Sequence, residues 1–158
     1  MRSNSSVAGA SILAGLSLAA CSAPGPANSV AYQQFQFTCC VSGDVQKVWH
    51  AGEEFTLHWI VEDAGTTSDA AQHPITLTAV LTGPYASATL LKTGGAHAET
   101  LAATPIQVTD RTPGSPVSSI PLPQALPAGW YNLAYSIDSG GGNRAAGASV
   151  IRVTLSGA

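Results

Sequence analysis

Charge is what this sequence has least of. Only 9% of its residues are Asp, Glu, Lys or Arg, against about a quarter in an ordinary globular protein. With six basic and nine acidic residues the net charge is −3. A nucleic-acid binder needs a basic face, and a peripheral binder of anionic lipid needs a polybasic patch; both classes are excluded. Apolar residues make up 45% of the chain, which is too many for a disordered tail. Thr, Ser, Gln, Gly and Ala must therefore cover much of the surface. No apolar run reaches the roughly 20 residues of a membrane-spanning helix, and no apolar C-terminal tail signals a GPI anchor.

What is present begins with the leader. Met1 to Ser6 is polar, with Arg2 its only charge, and Val7 to Ala20 is uncharged and mostly Ala, Leu, Gly, Val and Ile. About fourteen such residues make a helix of roughly 21 Å, too short for a hydrocarbon core of about 30 Å. That is the apolar region of a signal peptide. It ends in Leu18-Ala19-Ala20-Cys21, which resembles the lipobox of bacterial lipoproteins. The resemblance implies that residues 1–20 are removed, that the Cys21 sulfur carries diacylglycerol, and that the protein stays at the cell membrane or envelope on the extracytoplasmic side. Acyl chains contribute about 0.8 kcal/mol per buried CH₂, so two or three hold a protein stably. Without Arg2 the remainder has five basic and nine acidic side chains, a net −4. Residues 21–31 then form a tether around Ala23-Pro24-Gly25-Pro26. Its eight residues Ser22 to Ser29 reach about 15 Å if flexible.

Residues 32–158 read as one all-β domain. Apolar residues recur with period two at Phe35, Phe37, Cys39 and Val41, and at Phe55, Leu57, Trp59 and Val61. Further stripes are Ile75, Leu77, Ala79 and Leu81; Tyr131, Leu133, Tyr135 and Ile137; and Ile151, Val153 and Leu155. Turn residues separate them at Ala51-Gly52, Gly83-Pro84, Gly94-Gly95, Pro113-Gly114 and Ser139 to Asn143. No helical stripe interrupts the series. Half-buried strands at this spacing predict an antiparallel sandwich.

Two segments narrow the expectation. Trp49-His50-Ala51-Gly52 leads into a strand with Trp59 as inward anchor, and Leu122-Pro123-Gln124-Ala125-Leu126-Pro127-Ala128-Gly129-Trp130-Tyr131 leads into another. Pro121 and Pro123 cannot donate to a ladder, so their strand ends or lies at an edge. The order is similar to the immunoglobulin-like domain of Ser/Thr-rich, surface-anchored cell-wall proteins, over roughly Trp49 to Thr154. The resemblance implies an immunoglobulin-like sandwich in which Leu126 plugs the core and the Tyr131 hydroxyl bonds to backbone a few residues back. It implies no active site. The lipobox departs from the GPI anchoring usual in that family.

Candidate chemistry is sparse. With Cys21 taken as a thioether, Cys39 and Cys40 are the two remaining thiols in an oxidising compartment. Either the strand breaks and they form a vicinal disulfide, or Cys39 is buried as a core residue and Cys40 is exposed. Alternating strand geometry favours the second, while the Val41-Ser42-Gly43-Asp44 turn keeps the first open. A redox role needs a cation beside the thiol, and none is adjacent. His50, His58, His73 and His97 are candidate copper or zinc ligands, but none shows a ligand spacing; scattered surface histidines are the simpler reading. No Gly-x-Ser-x-Gly elbow is present, and Glu53-Glu54 and Glu62-Asp63 read as solvated strand ends.

The expectation is thus a membrane-anchored lipoprotein whose immunoglobulin-like domain is non-catalytic, needs no cofactor, and binds an envelope protein or glycan or serves structurally. A periplasmic or surface copper- or zinc-binding protein is the alternative, and a polysaccharide-acting envelope enzyme the remotest. Loops carry recognition on such scaffolds, which points to Glu62–His73, Thr93–Ala98, Asp110–Ser115 and Ser139–Arg144. Trp130 alternates outward from Tyr131 as a candidate contact for glycan or protein.

Overall fold

The computed structural model describes residues 30–155; the leader, Cys21 and nearly all of the tether lie outside the described residues. The described chain is an all-β sandwich of ten strands with two five-residue helices. In chain order the elements are β1 (Tyr32–Thr38), α1 (Ser42–Gln46), β2 (Val48–His50), β3 (Glu54–His58), β4 (Ile60–Thr67), β5 (Pro74–Tyr85), α2 (Ala88–Lys92), β6 (Glu99–Ala102), β7 (Ile106–Thr109), β8 (Val117–Pro121), β9 (Gly129–Asp138) and β10 (Arg144–Thr154). No helix among the described residues is long and apolar enough to cross a membrane.

One layer has the order β2-β10-β9-β5, with β6 and β7 both on the far edge of β5. All its pairings are antiparallel except β2 with β10, which is parallel. The second layer holds the ladders β1-β4 and β3-β8. Trp59 alone separates β3 from β4. Its N–H donates to the Pro116 carbonyl (3.0 Å) and its indole to Ser118 Oγ (2.9 Å), so one run of chain serves both ladders.

The alternation buries what the period-two pattern predicts. Phe37, Phe55, Leu57 and Trp59 meet Ile75, Leu77, Ala79, Leu81, Tyr131, Leu133, Ile151 and Val153 between the layers. Leu126 is buried beneath them, and the Tyr131 hydroxyl donates to the Pro127 carbonyl at 2.7 Å. β8 ends at Pro121 and pairs only with β3, as a proline-terminated edge strand should.

Four expectations are corrected in detail. Short helices do occur; α2 starts where Ser87 accepts from the Leu90 N–H (3.2 Å), a side-chain cap. Gly83-Pro84 is no turn: β5 continues through it to Tyr85, with a register shift after Thr82 that absorbs the missing proline donor. The first stripe stops early, since β1 ends at Thr38 and Val41 is 43% exposed. The last stripe ends at Val153, leaving Leu155 65% exposed beyond the strand.

Candidate functional site

Three of the four expected recognition loops meet at one end of the sandwich. β7 ends beside the start of β5, with Pro74 opposite Thr109. β9 ends there too, with Thr76 opposite Asp138. The turns after β7 and β9 therefore lie beside the loop entering β5. Glu62–Thr67 proves to be strand, paired with β1, where Gln36 Nε2 donates to Glu62 (3.0 Å) and Gln33 Nε2 to Asp63 (2.9 Å). Only residues 68–73 of that predicted loop are free of the ladder. Thr93–Ala98 lies at the other end of β5, about 36 Å away along a twelve-residue strand, where the Tyr85 hydroxyl is 3.3 Å from His97 Nδ1.

Asp110 organises the loop end. Its carboxylate accepts from the His73 N–H (2.9 Å) and from Gln34 Nε2 (3.2 Å), and it lies 2.9 Å from His73 Nδ1. Its own carbonyl accepts from the Phe35 N–H at 2.7 Å. Burial disfavours the charged carboxylate, but the bonds from His73 and Gln34 outweigh it and hold its pKa below the ordinary value of 3.8. The neighbouring Arg111 guanidinium donates to the carbonyls of Gln33 (3.3 Å), Asp69 and Ala71 and lies over the Tyr32 ring. These two side chains bind the loop 68–73 and the first residues of β1 to the end of β7.

Beside this network a groove of about 620 Å³ opens between the layers. Phe35, Phe37, Ile75 and Ile137 give it apolar walls, and His73, Asp110, Asn143 and Arg144 stand at its polar rim. Arg144 donates to Ser136 Oγ at 3.1 Å. Ser139 also lines the groove, so a serine, a histidine and an aspartate share it. The imidazole is bonded to the carboxylate on Nδ1, while its Nε2 comes within 4.0 Å of Asp69; no hydrogen bond joins it to Ser139. That is an oriented dyad without an engaged nucleophile.

The histidines do not converge. His50 is 2.8 Å from Thr154 Oγ1, His58 lies 3.1 Å from Asp44, and His73 and His97 have the partners already given. Among the described residues no group of three or more His, Cys, Asp or Glu is placed to hold a metal ion. Glu53, half-buried near His50, has its pKa lowered mainly by the His50 N–H it accepts at 2.9 Å.

Cys39 and Cys40 form a disulfide with each other, both half-buried against the core. This overturns the favoured reading of one buried and one exposed thiol: bonded neighbours cannot point to opposite faces, so the extended strand ends before them. Trp130 is half-buried rather than free. The guanidinium of Arg152, its cross-strand neighbour, lies 4.7 Å from the ring. It stands at the end away from the groove, opposite Tyr85. Cys21 lies outside the described residues. The Asp110 network was missed from sequence because its members are 76 and 37 residues apart in the chain. The one local signal was the polar His73-Pro74 just before the Ile75 stripe.

Comparison with protein-family models, curated proteins and solved structures finds no match to this chain.

Proposed function

We propose that this chain is a membrane-anchored extracytoplasmic lipoprotein whose immunoglobulin-like sandwich is a non-catalytic binding domain, working through the loop end. One observation carries the reading: the three loops and the groove lie at the end where the described chain enters β1. Tyr32 pairs with Thr67 there and lies under Arg111. A tether of about 15 Å from Cys21 would then present this end to the membrane surface and its neighbours. The buried tyrosine corner and Leu126 support the immunoglobulin-like kinship, which is structural and implies no chemistry. The His73 imidazole and the Asp110 carboxylate are spent on each other, and Arg144 and Gln36 are held by Ser136 and Glu62, which suits a rigid recognition surface better than a reaction centre.

The test is a photo-crosslinking scan in cells. A crosslinking residue at Asn143 or Thr112 is expected to give a discrete adduct with an envelope component, and one at Ala96 none. Equal labelling at both ends would overturn the loop-end reading.

The His73–Asp110 dyad beside Ser139 favours a second reading, hydrolysis of an ester or glycan-linked acyl group. Turnover of a chromogenic ester that disappears in both Ser139→Ala and His73→Ala would establish it. Turnover unaffected by either substitution, or none at all, would dispose of it.

A further inference from the structure

The layer containing β10 has an unfinished edge. β10 pairs with β9 along Arg144 to Val153, but on its other side β2 covers only Arg152 to Thr154. Among the described residues no strand pairs with that side from Ala145 to Ile151. The direction of its backbone groups follows from its two ends. Thr154 offers its carbonyl to the Ala51 N–H on the β2 side (2.9 Å), whereas Asn143 offers its carbonyl to the Ser139 N–H on the β9 side (3.0 Å). Successive residues of a strand alternate, so Ala146, Ala148 and Val150 direct N–H and C=O outward with no ladder to receive them.

The side chains give this edge a shape. Ala145, Gly147 and Ser149 lie opposite Ile137, Tyr135 and Leu133 on the face turned to the other layer. They are small where the core residues further along, Ile151 and Val153, are large and buried. The Tyr135 ring fills the place of a Gly147 side chain, and a Cβ there would collide with its hydroxyl. Ile137 and Ala145 also line the groove with Phe35 and Phe37. The trough of small residues is thus filled at Gly147 by the Tyr135 ring and left open at Ala145 and Ser149, and at Ala145 it meets the apolar groove.

Charge narrows the occupant. Open edges are commonly guarded by a charge or a proline, and Ala145 to Ile151 has neither. Arg144 and Arg152 flank it, and neither makes an ion pair among the described residues. A second copy using all three outward residues would have to centre its pairing on Ala148. That register sets Arg144 against Arg152 of the other copy twice over, and like charges opposite one another are destabilising.

We infer that the β10 edge from Ala145 to Ile151 docks an extended peptide of a partner protein as an added strand. Apolar side chains of that peptide lie beside Ala145 and Ser149 and against the Tyr135 ring that covers Gly147, and its carboxylates face Arg144 and Arg152. Main-chain bonds give affinity and the trough gives specificity, the usual division in strand addition. The inference deepens the binding reading above, on which it rests, by naming the partner's chemistry.

The experiment is amide exchange on the protein with a capped nine-residue probe in which valine alternates with threonine and an aspartate stands at each end, opposite Arg144 and Arg152. With the probe at ten times its Kd, exchange at Ala146, Ala148 and Val150 should slow about tenfold. A probe ending in lysines should do markedly less. Ala148→Pro removes the central outward N–H at a position where an edge strand tolerates proline, and Ala145→Lys puts a charge in the trough. Both should abolish protection while leaving the unfolding midpoint close to that of the parent. Three results overturn the inference: amides left unprotected by the probe, protection in the monomer without it (the chain's own remaining residues cover the edge), or protection that rises with protein concentration (a second copy does). Crosslinks from the loop end with an unprotected edge would refute this inference alone; crosslinks equal at both ends would refute the loop-end reading instead.

Discussion

Tyr131 is buried to the ring, and its hydroxyl reaches the one carbonyl, that of Pro127, that turns the chain into β9. Burial, with a smaller contribution from the charge on Glu99, pushes its pKa up to about 12 from 10.0. The neutral phenol is therefore the folded form. Its stabilisation is complete below the unfolded value near 10 and is lost as the pH rises through about 12. Tyr131→Phe should lower stability at neutral pH by about 1 kcal/mol, the worth of one hydrogen bond. It should also flatten the alkaline limb of a denaturation series.

Asp110 has the opposite sign. Its pKa is depressed, so its contribution is present above the ordinary carboxylate value of 3.8 and is lost as the pH falls through the lower folded value. Asp110→Asn should cost about 1.5–3 kcal/mol at pH 7, because bonds from the His73 and Gln34 donors to a charge become bonds to a neutral amide. The loss should shrink at acid pH. Urea titrations at neutral and acid pH check both points; a loss unchanged by pH would contradict the ionised network.

At the scale of elements, β5 shows how a strand survives a Gly-Pro. Gly83 sits against the Tyr131 ring, where a Cβ would come 2.6 Å from Cδ1 and 2.9 Å from the Trp130 carbonyl oxygen. Neither is free to move, since the ring is core and the oxygen is backbone. Gly83→Ala should cost about 1–3 kcal/mol by overpacking, read as a lower urea midpoint with an unchanged slope. A neutral result would show that the β5–β9 contact is looser than described.

This element also explains which strands the sequence disclosed. β3, β5 and β9 bury alternate residues in the core, and their stripes stand out. β4 beyond Val61 is polar on both faces, held by Gln33 and Gln36 reaching its carboxylates, so period two vanished and it read as a loop. β6 and β7 are four residues each, too short for a pattern. Vicinal cysteines were recognised as a choice between two geometries, and local alternation favoured the wrong one. The choice depends on where the chain goes next, into α1.

Over the whole molecule, the sandwich and its inward anchors Trp59 and Tyr131 were legible from period two, and Leu126 only through the resemblance to an immunoglobulin-like corner. The groove was not. It forms where β1, the start of β5, Asp110 beyond β7 and the β9–β10 hairpin meet, and the Asp110 bonds that shape it join residues far apart in sequence. The same placement ties site to address, since the chain enters the sandwich at the groove. If Cys21 carries the lipid, recognition happens within a tether's length of the membrane; if it does not, the loop end loses its orientation.

The most direct test of that account is the mass of the N-terminal peptide of the protein extracted from the membrane fraction of its own cells. The account predicts a chain that begins at Cys21 and carries a diacylglyceryl thioether, released to the soluble fraction by Cys21→Ser. An unmodified N-terminus at any other residue, or a soluble parent protein, would contradict it.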